Sequence, residues 1–190
     1  MVFKNKVCTK DQPAVPTLKN GVSNFYLHDT LGSFQSFMGV FAPDTLPWNI
    51  FRERHRGRME FLIINSEEIS SNRSGHWLSF TRYKEDGRCV LEFFDSLAFP
   101  HSLLPENVKK MIAVSDFDIF KTNQKILQSV ASNYCGLYCI ARFLSLLHET
   151  RLEKFLNTFK VDKALNDQIV VMYIRDFKLS SGRIVSSEKP

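Results

Sequence analysis

The side chains with chemistry to offer are Cys135, His76, Asp95 and Gln128. Cys135 lies in Gln128-Ser-Val-Ala-Ser-Asn-Tyr-Cys135-Gly136-Leu-Tyr-Cys139-Ile140, a polar stretch that turns apolar at the cysteine. That switch predicts a loop running into a buried helix whose first residue is Cys135. A helix N-terminus gathers unpaired N–H groups and the positive end of the macrodipole, and a thiol placed there ionises more readily to the nucleophilic thiolate. A thiolate of this kind attacks a carbonyl, an imidazolium then protonates the leaving amine, and a carboxylate holds the ring in one tautomer. Gln128, seven residues upstream, can fold back and offer its amide N–H to the oxyanion, beside the Cys135 backbone N–H. Gly136 has no Cβ and would let a substrate backbone approach closely. Trp77, next to His76, is the other candidate substrate contact.

The element that must position His76 and Asp95 is a hairpin. Gly75-His-Trp-Leu-Ser-Phe-Thr-Arg-Tyr83 and Cys89-Val-Leu-Glu-Phe-Phe94 have strand composition, and the segment between them carries Asp86-Gly87, a turn signal. Opposed residues in a hairpin have a constant index sum. A sum of 171 sets His76 opposite Asp95, whereas a sum of 173 offsets the two by two positions. Both registers bring them to the same end of the sheet, since the rise is about 3.4 Å per residue. Cys139 follows Cys135 by one helical turn and is expected to be packing, with none of the N-terminal stabilisation. His28, His55, His101 and His148 have no carboxylate at a comparable hairpin position.

Elsewhere, Phe37-Met-Gly-Val-Phe-Ala42 and Phe61-Leu-Ile-Ile64 read as strands, Phe117-Asp-Ile-Phe120 as another, and Val22 to Leu31 as a short helix. A helix begins near Pro105 and buries Val108, Met111 and Ile112. After the Cys135 helix, Leu152, Phe155, Leu156 and Phe159 make a second amphipathic helix. Asp162 caps a third, with Leu165, Ile169 and Met172 inward. Arg52, Arg54, His55, Arg56 and Arg58 cluster within seven residues. They form either a solvated loop or a phosphate-binding patch able to hold DNA by counterion release.

The 190 residues predict a single domain over 1–190, with a loosely packed arm over 1–20 and a fraying tail over 178–190. Apolar residues at 44% and charged residues at 24% are ordinary for a soluble globular chain, and 17 phenylalanines predict an aromatic core. The net charge of +5 and pI near 9.0 allow an acidic partner. Four cysteines in a chain of this length form no disulfide framework and suit a reducing compartment. No Cys-x-x-Cys pair or close His cluster has metal-site spacing, so the chemistry is expected to need no metal or other cofactor. The apolar runs are too short to span a membrane and the first residues lack a signal-peptide core. The expected protein is soluble, not secreted, and has no membrane partner.

Phe37-Met-Gly-Val-Phe41, Gly75-His76-Trp77, the Phe94-Asp95 strand end, and Gln128 followed by Cys135-Gly-Leu-Tyr-Cys139 resemble the adenain family, the cysteine proteases of adenoviruses, and related proteases of Polinton (Maverick) elements. The order His, Asp or Glu, Gln, Cys is the family order, and the Gln128-to-Cys135 step is similar to that of adenain; related ubiquitin-like-protein proteases usually have one residue fewer. The resemblance implies an α+β, papain-related fold with helices flanking a mostly antiparallel sheet. It implies endoproteolysis of viral capsid and core precursors at Gly-containing sites during virion maturation, in the host nucleus and the virion, by a monomer. It also implies activation by viral DNA and by a short viral peptide, the 52–58 cluster suiting the DNA. Two features depart from adenain: the acid is Asp95 where mammalian adenain has Glu, and 117–127 holds no cysteine for a disulfide-linked peptide. Removal of ubiquitin-like modifiers such as SUMO stands as an alternative. A non-enzymatic DNA-binding virion protein is another.

Overall fold

The computed structural model describes residues 21–52, 57–71, 73 and 75–186; the expected arm over 1–20, and Arg54, His55 and Arg56, lie outside these residues. Five strands, β1 (Phe37–Phe41), β2 (Glu60–Asn65), β3 (Trp77–Glu85), β4 (Arg88–Phe94) and β5 (Ile119–Thr122), form one sheet in chain order. The two central pairings are antiparallel, and β1 and β5 add to the edges in parallel. The fold is α+β, with α1 (Asn24–Leu31), α2 (Glu106–Val114), α3 (Cys135–Leu147), α4 (Leu152–Leu156) and α5 (Lys163–Ser186) around the sheet. Among the described residues no helix is long and apolar enough to cross a membrane.

The sheet is covered on both faces, so its central strands are apolar on both. Phe61 and Ile63 of β2 join a core with Phe94, Leu27 and the α3 residues Tyr138, Ile140 and Phe143. Leu62 and Ile64 point the other way, into a second core with Phe51, Phe80, Phe93 and the α2 residues Val108 and Met111. The aromatic content is used here: Phe61 and Phe143 meet at 4.6 Å between ring centroids, Phe80 and Phe93 at 5.0 Å.

The hairpin turns at Asp86-Gly87, whose φ angles of 50° and 79° are the left-handed pair that a tight two-residue turn requires. Glu85 pairs with Arg88 and Ser79 with Phe94, so the index sum is 173. His76 and Asp95 therefore both sit just past the last paired residues, at the same end of the sheet.

Two expectations are corrected in detail. The second amphipathic helix stops at Leu156, short of Phe159, because Lys125 Nζ reaches the carbonyls of Leu156 (3.0 Å) and Phe159 (2.8 Å), satisfying the terminal acceptors. Asp162 does cap α5 through the Ala164 N–H (3.0 Å), but Leu165 and Met172 are exposed. The inward face is Asn166, Val170 and Ile174, because Asn166 is drawn in to bond the Leu127 and Lys160 carbonyls. The helix α5 itself continues to Ser186, into the 178–190 segment.

Candidate active site

Cys135 is the first residue of α3, as the polar-to-apolar switch predicts. Its N-cap, Tyr134, makes no side-chain cap hydrogen bond, and its carbonyl accepts the Leu137 N–H at 2.8 Å. Every residue from Cys135 to Leu146 is buried, which fixes where the helix begins.

Opposite it, the entry to β3 is set by a reciprocal pair. The His76 N–H donates to Ser66 Oγ and the Ser66 N–H donates to the His76 carbonyl, each at 2.8 Å. The backbone of the next residue, Trp77, is bracketed by two sulfurs one helical turn apart. The Trp77 N–H lies 3.5 Å from Cys135 Sγ, and Cys139 Sγ donates to the Trp77 carbonyl at 3.5 Å. Burial pushes the Cys139 thiol well up, which fits packing and opposes reactivity.

His76 Nε2 contacts Asp95 Oδ1 at 2.6 Å. Burial by itself would lower the His76 pKa. The hydrogen bonds to Asp95 and Cys135, together with their charges, more than reverse that and push it up to about 9. Since Asp95 takes Nε2, Nδ1 is the nitrogen left for the sulfur. The Phe99 ring stands perpendicular to the imidazole, with 6.5 Å between ring centroids. Asp95 is fully buried and accepts the N–H groups of Leu97 (2.8 Å) and Phe99 (2.9 Å) on its two oxygens. Its backbone is clasped by Asn123, whose Oδ1 accepts the Asp95 N–H at 2.9 Å and whose Nδ2 donates to the Asp95 carbonyl at 2.6 Å.

Gln128 is also buried, with Nε2 donating to the Ser132 carbonyl and Oε1 accepting from Ser96 Oγ, both at 2.6 Å. Trp77 donates Nε1–H to the Val22 carbonyl (2.9 Å), and its ring lines an open cleft of about 390 Å³ together with Ser23, Asn65, Glu67, Glu68 and Ile69.

Gly136 has a packing role. It is buried, and a Cβ there would stand 2.1 Å from Val22 Cγ2 and 3.1 Å from Trp77 Cδ1. The missing side chain lets α1's approach segment and the indole close over the start of α3. Arg52 and Arg58 are exposed, and Arg52 lies over the Trp48 ring at 5.8 Å, with Lys110 at 4.9 Å from the same ring. Sequence reasoning missed Ser66, Ser96, Asn123 and Ser132; only Ser96, adjacent to Asp95, carried a local signal.

No family model and no curated protein matches the chain. In three dimensions it is similar to a crystal structure of the ASFV pS273R protease, with TM-score 0.58 and 13% identity over 82% of this chain and 68% of that one. The selenomethionine form of that protease gives TM-score 0.50 and 14% identity, covering 82% and 69%. At these identities the likeness establishes the fold, and it is the helix-flanked α+β fold that the sequence implied.

Proposed function

We propose that the chain is a cysteine endopeptidase in which Cys135 is the nucleophile, His76 the acid and base, and Asp95 the orienting group. The observation that carries this reading is the His76–Asp95 contact of 2.6 Å beside a cysteine that opens a buried helix. The shared fold with a protease supports it. The Cys135 thiolate attacks the scissile carbonyl carbon, and the resulting oxyanion is bound by the Cys135 N–H and the Gln128 amide. The His76 imidazolium gives its proton to the leaving amine as the C–N bond breaks, leaving a thioester. His76, now neutral, takes a proton from water, which attacks the thioester. The acid product departs and the thiolate–imidazolium pair is restored. Asp95 holds the ring throughout, and the Leu97 and Phe99 amides hold Asp95.

The substrates in this reading are viral capsid and core precursors, cut at Gly-containing sites in the nucleus and virion by a monomer. The adenain-like motifs and the likeness to a viral enzyme support this. With a fluorogenic peptide containing Gly-Gly, Cys135→Ala should remove turnover while leaving the circular dichroism spectrum intact, and His76→Ala should be nearly as severe. Equal rates for wild type and Cys135→Ala would falsify the peptidase. Faster cleavage of a SUMO fusion than of precursor-derived peptides would move the substrate class to modifiers. Activation by DNA rests on exposed Arg52 and Arg58; a turnover rate unmoved by duplex DNA at low salt removes that part.

A further inference from the structure

We propose that Ser96 is a positioning residue for the oxyanion: the Ser132 carbonyl sets which end of the Gln128 amide faces it, and the Ser96 hydroxyl holds the other end in place. This rests on the peptidase reading above. The amide has one acceptor oxygen and two N–H donors. The Ser132 carbonyl can only accept, so the atom 2.6 Å from it is the Gln128 nitrogen. Oε1 is then the atom facing Ser96 Oγ, also at 2.6 Å, and the serine hydroxyl must be the donor there. Nε2 keeps a second hydrogen with no partner among the described residues, and this is the hydrogen available to a developing negative charge. A flipped amide would present oxygen to both the Ser132 carbonyl and the oxyanion, and would repel each.

The surroundings leave Ser96 little other work. It is 1% exposed, directly follows Asp95, and its carbonyl accepts the N–H groups of Leu127 (2.8 Å) and Gln128 (3.1 Å). The same residue thus fixes the backbone of the Gln128 loop through its carbonyl and the side chain through its hydroxyl. From the other side, Ser132 is tied to Asp167 of α5, whose carboxylate also accepts from Tyr138 at 2.9 Å. Substitution of the Ser96 side chain leaves the backbone bonds in place and frees only the amide.

The test combines Ser96→Ala, Gln128→Ala and the double variant. Three readouts are taken: turnover of the Gly-Gly peptide, inhibition by the matching peptide aldehyde, and alkylation of Cys135 by iodoacetamide. The aldehyde adduct carries an oxyanion, whereas alkylation does not. Ser96→Ala should lower kcat by about 10- to 100-fold and weaken the aldehyde by a similar factor, below the loss seen on deleting a donor outright. KM and the alkylation rate should stay within about twofold of wild type, since neither needs the oxyanion site. On a Gln128→Ala background the same substitution should cost nothing more, because Ser96 acts through Gln128. Unchanged kcat in Ser96→Ala, or a loss that persists in full on that background, overturns the inference. If Ser96→Ala does not fold, Ser96→Cys, similar in shape but a weak donor, is read the same way. A several-fold loss that vanishes with Gln128→Ala supports the inference, and any other result overturns it. A wild type no faster than Cys135→Ala overturns the peptidase reading itself, and this inference with it.

Discussion

His76 holds its proton more tightly in the folded protein than in the unfolded chain. Burial opposes that, but the Asp95 and Cys135 partners outweigh it and carry the pKa from 6.5 to about 9. The side chain is 18% exposed, so solvent screens these contacts only in part. A raised pKa stabilises the fold fully below the free value of 6.5, and the contribution is lost as pH rises through about 9. Urea midpoints taken from pH 6 to 10 should therefore fall across that window in the wild type and fall less in His76→Gln. Parallel curves for the two proteins would show that His76 is not held as an imidazolium. Turnover should decline over the same alkaline limb, because the leaving amine loses its proton donor.

At the scale of the element, the start of α3 is packed as closely as its backbone permits. Val22 and Trp77 occupy the space a side chain at position 136 would need, with Val22 Cγ2 only 2.1 Å from the added Cβ. Gly136→Ala should cost about 1–3 kcal/mol through overpacking, read as a lower urea midpoint. It should also slow cleavage, since Trp77 carries the peptide N–H that lies against Cys135 Sγ. An alanine variant as stable and as fast as wild type would mean that Val22 and the indole move aside freely. The hairpin is the other element in the site: its tight turn sets the register and so delivers His76 and Asp95 together.

Across the whole molecule, α3 and β4 are joined by a buried ion pair. Arg142 of α3 donates Nε–H and Nη2–H to the two oxygens of Glu92 on β4 at 2.6 and 2.7 Å, with both side chains fully buried. Its Nη1 serves Ser145 Oγ and the Thr150 carbonyl at 2.8 Å, and Tyr83 donates to Glu92 at 2.9 Å. Glu92 lies three residues before Asp95, and Arg142 two turns beyond Cys135, so the pair fixes the helix against the strand that carries the acid. Arg142→Met leaves the buried Glu92 carboxylate without its cation and should cost about 3–5 kcal/mol. Pairing it with Glu92→Met should recover much of that loss in denaturant titrations. A single variant within about 1 kcal/mol of wild type would mean that water reaches Glu92.

The local features were legible in the chain because their causes are local. A polar run meeting an apolar period sets the start of α3 at Cys135. Asp86-Gly87 admits the left-handed turn that brings His76 and Asp95 to one sheet end. The four residues proposed for the chemistry follow from those two signals. What required the tertiary structure was everything that depends on one segment meeting another. That the hairpin end meets the α3 start depends on packing between elements far apart in sequence. Gly136 is small because Val22 arrives there, and α5 turns Asn166 inward because the Leu127 and Lys160 carbonyls need a donor. Ser96 holds the Gln128 amide across 32 residues of chain. Periodicity reports which face is apolar, but a buried polar group satisfied by a distant partner leaves no periodic trace.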